Sequence, residues 1–487
     1  MKVFEFIKGL KYKGKVNNLN EEISNLTTSS KEVEKGSVFF AVKGEKADGN
    51  DYILEAINKG AILVITQNDC CLDNVITVND VRKEISKLSY KFYEPNKKRV
   101  KVIGVVGTNG KTSTTYLIKN ILSKVGKKVG IIGTLGIFYN KHKIEPSLTT
   151  PDAIYLNKTF MDMANENIEY VVMELSAHAI SQKRAYSTVF DVLVFTNCTH
   201  DHLDYFKTFD EYKKTKLSVF NNLSARLAVV NADDDSGKEI ILSNKLSVIS
   251  YGLNNPSDVF AVQVKLSPTK TTFVVNAFDD IDFVTTKLLG EFNVYNALSA
   301  ITVCLALGVN LKTAVNAICD TEQISGRLEY VENYNGADIY VDYAHTPDGL
   351  KNLLTSLRQI CKNKLYLIFG CGGNRDKEKR SLMGKIAGEY ADFSIITSDN
   401  PRFEEPYSII KEIETGIRDK TSKYITIQNR YMAIGYGLTH LSQGDVLVIA
   451  GKGAENYQDV MGIKLHFNDK ETVRDIISKL YLGGEFF

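Results

Sequence analysis

The 487-residue chain lacks any uncharged apolar run of the roughly 18 to 20 residues that crosses a bilayer. Lys2, Glu5 and Lys8 interrupt the short apolar stretch at its start, so neither a membrane span nor a signal peptide is expected. Net charge is nearly absent: 60 Lys+Arg against 58 Asp+Glu leave +2, too little for a sequence-independent hold on a phosphate backbone, so a nucleic-acid partner is not expected. The seven cysteines form no CxxC and only Cys70 and Cys71 adjoin, which argues against a disulfide framework or a structural zinc site and for a reduced, cytoplasmic setting. Proline is scarce at 8, and there is no low-complexity tract and no self-similarity at a period of about 20 to 50 residues, which excludes disordered linkers, solenoids and propellers. What remains is 44% hydrophobic and 24% charged, an ordinary globular composition long enough for about three domains at roughly 150 residues each.

Short apolar pieces at 38–42, 61–66 and 74–78 precede a charged, helix-like stretch that ends at Glu94-Pro95-Asn96-Lys97-Lys98, the first expected boundary. Next comes the β-rich run 100–107, a glycine turn, and TSTTYLIKNILSKVG with apolar residues at helical spacing. Strand, glycine loop and helix in that order form a phosphate-binding unit. Buried-type strands are expected at 128–134, 170–176, 191–197 and 226–234, with helical segments between them, which means a mostly parallel sheet covered by helices. The stretch 252–290 alternates Val, Thr, Phe and Asp and reads as antiparallel or peripheral, and a helical segment then leads to Gly326-Arg327. A second series follows, ADIYVDYAHT, LYLIFGCGG, FSIITSDNP and DVLVIAGKG, each a strand ending in polar or glycine residues. Ligands of open α/β sheets sit at such carboxyl ends.

Several of these endings carry chemistry. Gly107-Thr108-Asn109-Gly110-Lys111-Thr112 offers backbone N–H groups for phosphates, a lysine for the β/γ oxygens and a hydroxyl for Mg²⁺; Val105 stands where a strict Walker A has glycine, so this is the shorter variant. Glu174 ends a strand where a carboxylate can hold Mg²⁺ beside the phosphates, or be a surface residue, and His178, Gln182 and Arg184 follow at spacings that suit a helix or turn. The run Asn197-Cys198-Thr199-His200-Asp201-His202-Leu203-Asp204 concentrates two His and two Asp past another strand, as a metal or phosphate site does; its spacing fits Mg²⁺ supported by His better than zinc. Glu211 to Lys216 alone reads as a solvated helix face. Asp342-Tyr343-Ala344-His345-Thr346-Pro347-Asp348 and Asp399-Asn400-Pro401-Arg402 are sites or turns, and Gly451-Lys452-Gly453-Ala454-Glu455 reads as another anion-binding turn. On residues alone the chain is a Mg²⁺-dependent, ATP-consuming α/β protein.

Taken in order, TSSKEVEKGSVFFAVKG, GTNGKTSTT, LTTPD, MELSAHAISQKR, NCTHDHLDY, GEFNVYNALSAI, GRLEYV, DYAHTPD, GCGGNRDKEKR, SDNPRFEEP and GKGAENYQ resemble the Mur ligase family of peptidoglycan assembly over nearly the whole chain, and within it the members that add the third residue of the muramoyl peptide. The resemblance implies three domains: a small N-terminal α/β domain for the UDP-sugar over 1–98, a central P-loop-type domain with a mostly parallel sheet for ATP over 99–325, and a Rossmann-like C-terminal domain for the amino acid over 326–487. It implies ATP-dependent amide formation, in which a UDP-muramoyl dipeptide carboxylate takes the γ-phosphate and an amine then attacks the acyl phosphate. A monomer acting on small molecules is expected.

Residue by residue, the resemblance gives Lys111, His202 and Lys216 catalytic roles. Gly107, Thr108, Asn109, Gly110, Lys111, Thr112, Asn293, Arg327 and His345 fall to ATP, and Thr112, Glu174 and Lys216 to Mg²⁺, with Lys216 matching a lysine that CO₂ carbamylates. Ser30, Thr149, Thr150, Ser176, Gln182 and Arg184 match UDP-sugar and peptide contacts, and Arg375, Asp399, Asn400, Arg402, Gly451 and Glu455 the amino-acid pocket. Arg402 can clamp the distal carboxylate of meso-diaminopimelate and Glu455 its ammonium, which favours that amino acid over L-lysine. The chain departs from the family pattern at Ser29, Lys31, Leu148, Phe206 and Ala454, which leaves lysine, another amino acid or another acceptor as alternatives. A folylpolyglutamate synthetase-like ligase would lack the first domain and the DNPR segment. A silent scaffold would not need Lys111, Glu174, His202 and Lys216 together, and a nucleic-acid motor would carry further helicase-type motifs.

Overall fold

The computed structural model describes residues 1–44, 47–93, 100–145, 148–243 and 245–482, with the backbone alone at 203 and 204. The charged junction expected at 94–98 lies outside the described residues. The chain forms two compact units, Met1–Val105 with Lys127–Leu193 and Ser218–Leu227, and Val106–Gly126 with Val194–Leu217 and Ala228–Phe487.

In the first unit four parallel strands lie in chain order, Asn25–Thr27, Ser37–Ala41, Leu63–Thr66 and Val75–Thr77. Alternation along a strand sends successive side chains to opposite faces. Phe40, Leu63, Ile65 and Ile76 therefore pack with Phe6 and Leu88 on one side, while Phe39, Val64 and Val75 meet Ile53 and Ala56 on the other. Both faces are buried, which is why these strands read as unbroken apolar runs. The same unit carries the strand order Val189–Phe195, Lys101–Val106, Tyr170–Leu175, Val129–Gly133, Gly136–Tyr139, His142–Ile144. Val129–Gly133 and Tyr170–Leu175 run parallel, and the last two strands fold back as an antiparallel edge. The four strands expected between 100 and 197 are all present, displaced by no more than two residues at their ends.

The second unit begins with the phosphate-loop helix Lys111–Lys124, which packs against Glu291–Ala306, a helix apolar almost all round. The segment expected to be antiparallel is so: Val259–Leu266, Thr271–Ala277 and Asp280–Thr286 pair as a meander, joined in parallel to Ser247–Gly252. The C-terminal sheet has the order Glu329–Tyr334, Ala337–Asp342, Val446–Ala450, Leu365–Phe369, Phe393–Ile396, Tyr424–Thr426, parallel except for its first pair. Ile339, Val341, Ile368, Leu447 and Ile449 face one layer of helices, and Tyr340, Leu367, Phe369, Val448 and Ala450 face the other. Because these strands run in one direction, the segments after 342, 369, 396 and 450 emerge at one edge. The architecture is the expected α/β one, with a largely parallel central sheet and a Rossmann-like last domain.

Candidate active site

The phosphate loop follows directly from the strand Lys101–Val106. A Cβ at Gly107 would lie 1.8 Å from Thr196 Oγ1, and Gly110, at φ +85°, would carry one 2.4 Å from Asn296 Oδ1. Glycine is required at both positions by close approach, and at Gly110 by conformation as well. Thr196 Oγ1 donates to the Asn109 carbonyl at 2.6 Å, while the Asn109 N–H donates to Asn197 Oδ1 at 2.8 Å. These bonds shape the loop from the end of the next strand. Lys111 curls back, its Nζ donating to the Gly107 and Thr108 carbonyls at 2.9 and 2.7 Å. Arg327 Nη2 donates to Thr112 Oγ1 at 2.9 Å, and its guanidinium lies 4.4 Å from the centre of the Tyr343 ring. Asn293 is buried and bonds the Leu289 carbonyl and Asn296 Nδ2, so its hold on the loop runs through Asn296.

Lys216 departs from the solvated-face expectation. Glu211 and Lys214 are exposed, but Lys216 is 1% exposed on the helix Phe209–Asn222. Its Nζ donates to Thr108 Oγ1 at 2.6 Å and lies 4.0 Å from the centre of the Tyr212 ring, one helical turn earlier. Tyr212 OH is itself 3.2 Å from Thr108 Oγ1. Burial, reinforced by the nearby Lys111, lowers the Lys216 ammonium to about 7. Asp201 is also buried, which alone pushes its carboxyl up, but His202, His345 and Lys379 outweigh burial and hold it at about 2. His202, at φ +56°, brings Nε2 to 3.3 Å from Asp201 Oδ2. Burial and Lys379 push the His345 imidazole down to about 4, and its Nδ1 lies 2.8 Å from the Tyr343 carbonyl. Asp348, which opens the helix Pro347–Arg358, accepts a bond from Asn109 Nδ2 at 3.2 Å. Of this run, Asn197 and the Thr199 N–H bond the loop at Asn109 and Thr108, and the Asp201 charge acts on Lys216. Among the described residues, no group of three His, Cys, Asp or Glu side chains is gathered as a metal site.

In the first unit Glu174 is 1% exposed, which excludes the surface reading. Its Oε1 accepts from the Thr134 N–H at 2.9 Å and its Oε2 from Thr134 Oγ1 at 3.1 Å. Thr149 Oγ1 lies 3.3 Å from Thr134 Oγ1, and Thr150 Oγ1 donates to the Glu174 carbonyl at 2.8 Å and receives the Ser176 N–H at 3.0 Å. Ser176 caps the helix Ala177–Ser181, as its N-terminal position and hydroxyl allow. Arg184 Nη1 donates to the Thr150 carbonyl at 2.7 Å and Nη2 to Gln182 Oε1 at 2.8 Å. Five of the six UDP-sugar candidates thus form one network with Glu174. Ser30 stands apart on the N-terminal sheet, where it opens the 3₁₀ turn Ser30–Glu32 and its carbonyl accepts from Lys59 Nζ at 3.0 Å.

At the carboxyl edge of the last sheet, Asn400 Nδ2 donates to Glu455 Oε2 at 2.9 Å, and a Cβ at Gly451 would lie 2.6 Å from Asp399 Oδ2. Arg402, at φ +52°, spends Nη1 on the Gly373 carbonyl at 2.8 Å. Arg375 is exposed on the loop after Leu365–Phe369. The GKG turn is not the anion-binding turn its glycines suggest: Lys452 is fully buried and its ammonium faces protein oxygens. Thr134, Thr196, Asn197, Asp201 and Tyr212 were not singled out as site residues. Asn197 and Asp201 lie inside the flagged strand ending, and Tyr212 was signalled only by standing one turn before Lys216.

Three family models cover most of the chain: one described as “Mur ligase family, catalytic domain” over 22–106, one as “Mur ligase middle domain” over 105–304, and one as “Mur ligase, glutamate ligase domain” over 326–453. The UDP-N-acetylmuramoyl-L-alanyl-D-glutamate--2,6-diaminopimelate ligase 1 of Clostridium acetobutylicum is 39% identical, across 99% of this chain and 100% of that one. The diaminopimelate ligase of the same description from Geobacillus kaustophilus is 40% identical, across 94% of this chain and 96% of that one. A solved structure of a UDP-N-acetylmuramoyl-L-alanyl-D-glutamate--2,6-diaminopimelate ligase matches at a TM-score of 0.72 and 29% identity, covering 99% of both chains.

Proposed function

The chain belongs to the Mur ligase family, ATP-dependent amide-forming ligases of peptidoglycan precursor synthesis, and on that premise we propose that it adds meso-diaminopimelate to UDP-N-acetylmuramoyl-L-Ala-D-Glu. The dipeptide carboxylate attacks the γ-phosphorus and ADP leaves. The incoming amine then attacks the acyl carbon, phosphate leaves, and the amine gives up a proton. Carboxylate and phosphate repel each other, so the first step needs cations. Lys111 turns from the Gly107 and Thr108 carbonyls to the β/γ oxygens. Mg²⁺, when bound, supplies further positive charge. The hydroxyl of Thr112 and the carboxylate of Glu174 are oxygen donors of the hard type that Mg²⁺ takes, and they are the residues we assign to it. Arg327 must release Thr112 for this.

Lys216 supports the same reading. At about 7 its amine is half neutral at neutral pH, so it can add to CO₂, forming an N–C bond and releasing one proton, and become a carboxylate-bearing side chain beside Thr108. The network of Thr149, Thr150, Ser176, Gln182 and Arg184 is assigned to the UDP-muramoyl peptide, with Ser30 at its uridine end. His345 and Asn293 are assigned to the ATP side. The domain boundaries at 98 and 325 remain our division of these roles. We also propose a cytoplasmic setting, where ATP and a nucleotide-linked acceptor meet, and a monomeric protein.

The observation that carries the choice of amino acid is that one cation and one anion both lie near Tyr457 at the edge of the last sheet: Arg402, which bonds the Gly373 carbonyl and lies 4.0 Å from Asp459, for the distal carboxylate, and Glu455, held by Asn400, for the ammonium. The test is ADP release with the UDP-muramoyl dipeptide, Mg²⁺ and bicarbonate, comparing meso-diaminopimelate with L-lysine and weighing the product. Preference for diaminopimelate is expected. Preference for lysine would remove the Arg402 clamp, and no turnover with either would point to another acceptor and to Leu148, Phe206 and Ala454 as its marks.

A further inference from the structure

Lys452 has no solvent exposure, and its chain buries an ammonium in the core edge of the last sheet. Removing a cation from water costs several kcal/mol unless its protons are all taken by well-placed acceptors. Here they are. Nζ donates to Asn400 Oδ1 at 3.2 Å, to Glu455 Oε2 at 3.0 Å and to the Tyr457 carbonyl at 2.5 Å. An ammonium has three donors and no acceptor, so its set is complete and none is left for a ligand.

This arrangement decides how two neighbours present themselves. Asn400 Oδ1 accepts from both Lys452 and the Asp459 N–H at 2.9 Å, so the amide has only one orientation that avoids facing donors with donors. Nδ2 must then point to Glu455 Oε2, as it does at 2.9 Å. Glu455 is consequently held through one oxygen by two donors, while Oε1 meets no protein donor among the described residues. The turn that carries Lys452 is fixed from behind: a Cβ at Gly326 would lie 2.1 Å from the Ala454 nitrogen, so the chain entering the last domain packs directly on it.

We propose that Lys452 is a positioning residue for the incoming amino acid, acting through Asn400 and Glu455 and touching no substrate itself. This rests on the amino-acid pocket assigned above. The buried cation holds the Glu455 carboxylate with Oε1 turned outward, ready for the distal ammonium of a diamino acid, and locks the Asn400 amide beside it. The same residue thereby contributes to specificity, because a pocket whose anion is tied down on one side accepts a second ammonium only in one place.

Lys452→Met and Lys452→Gln are to be compared with the wild type for the KM of meso-diaminopimelate, the KM of ATP and of the UDP-muramoyl dipeptide, kcat, and the thermal midpoint. The glutamine amide still donates to one or two of the three acceptors, so one variant remains informative where the other folds poorly. The expected result is a rise of tenfold or more in the diaminopimelate KM, with ATP and dipeptide KM within twofold of wild type. In the Glu455→Gln background the same Lys452→Met change is expected to add less than threefold, because its route is already cut. An unchanged diaminopimelate KM in either folded variant overturns the proposal, as does an equal rise in all three KM values or full additivity with Glu455→Gln. A wild type that adds no diamino acid at all defeats the pocket assignment instead, so the two failures are told apart.

Discussion

Replacing Lys216 by Met, an unbranched side chain of similar length, should stabilise the protein near neutral pH and lose that advantage as pH rises. The amine has its ordinary value of 10.5 in the unfolded chain and about 7 in the folded one. Between those values the unfolded state binds the extra proton, so wild-type stability climbs with pH across that window, is fully restored above 10.5, and is lost as pH falls toward 7. One pKa unit is worth about 1.4 kcal/mol, and with half of the folded amine still protonated at pH 7 the cost there is about 4 kcal/mol. Urea unfolding at pH 7 to 10 in CO₂-free buffer measures it. The gap between Lys216→Met and wild type should shrink by about 1 kcal/mol for each pH unit. A gap that stays constant over that range would refute the reasoning. The same shift leaves roughly nine-tenths of the amine neutral at pH 8, against roughly 0.3% for a lysine at 10.5, so dissolved CO₂, supplied by bicarbonate buffer, should add at this site selectively.

Asp469 and Arg430 form a bidentate pair at 2.7 and 2.8 Å, both without exposure, so Asp469→Asn should cost about 3 to 5 kcal/mol in denaturant unfolding by stranding the guanidinium. Arg402→Leu removes a charged hydrogen-bond partner worth about 1.5 to 3 kcal/mol and should lower kcat/KM for meso-diaminopimelate by about 10- to 150-fold, leaving L-lysine unaffected; equal losses for both amino acids would count against the clamp. Lys111→Ala should lower kcat by about two to three orders of magnitude in the ADP-release assay, since it removes charge aimed at the developing phosphate anion. Thr346 caps the helix Pro347–Arg358 through the Gly349 N–H, so Thr346→Ala should lower stability by about 1 kcal/mol.

The strands that sequence reading found are those buried on both faces. Lys101–Val106, Tyr170–Leu175, Leu365–Phe369 and Val446–Ala450 are buried along their length apart from Lys101 at one end, so apart from Lys101 and Glu174 their residues are apolar or small and the runs stand out. The strands it passed over are edges and hairpins. Glu329–Tyr334 alternates buried and half-exposed residues and pairs antiparallel at the margin of the last sheet, and Tyr424–Thr426 is only three residues long. Tyr457–Val460 and Ile463–His466 form an exposed hairpin with no buried face to leave a periodic mark. An edge needs fewer apolar residues because water covers half of it, and its sequence therefore resembles a loop.

The site divides along the same line, between what adjacent residues encode and what only the fold brings together. The phosphate loop was legible because strand, two glycines and lysine are contiguous, whereas the strand-end position of Glu174 left a metal carboxylate and a surface residue equally open, and only its burial in the fold removes the surface reading. The burial of Lys216 and of Lys452 was not legible from local pattern. Each sits in a polar stretch that reads as solvated or anion-binding, yet each is buried. For Lys216 the oxygen that makes burial tolerable is Thr108, 108 residues earlier in the chain; for Lys452 one of the three is Asn400, 52 residues away. A buried lysine with distant acceptors cannot be told from a surface lysine by its neighbours in sequence, because the difference lies in who takes its protons. The two lysines nevertheless part in chemistry. Lys452 has all three donors occupied, including one on a carboxylate. Among the described residues Lys216 has a hydroxyl and a ring face but no direct carboxylate partner, and so is the one whose charge the interior pushes off, leaving an amine able to react.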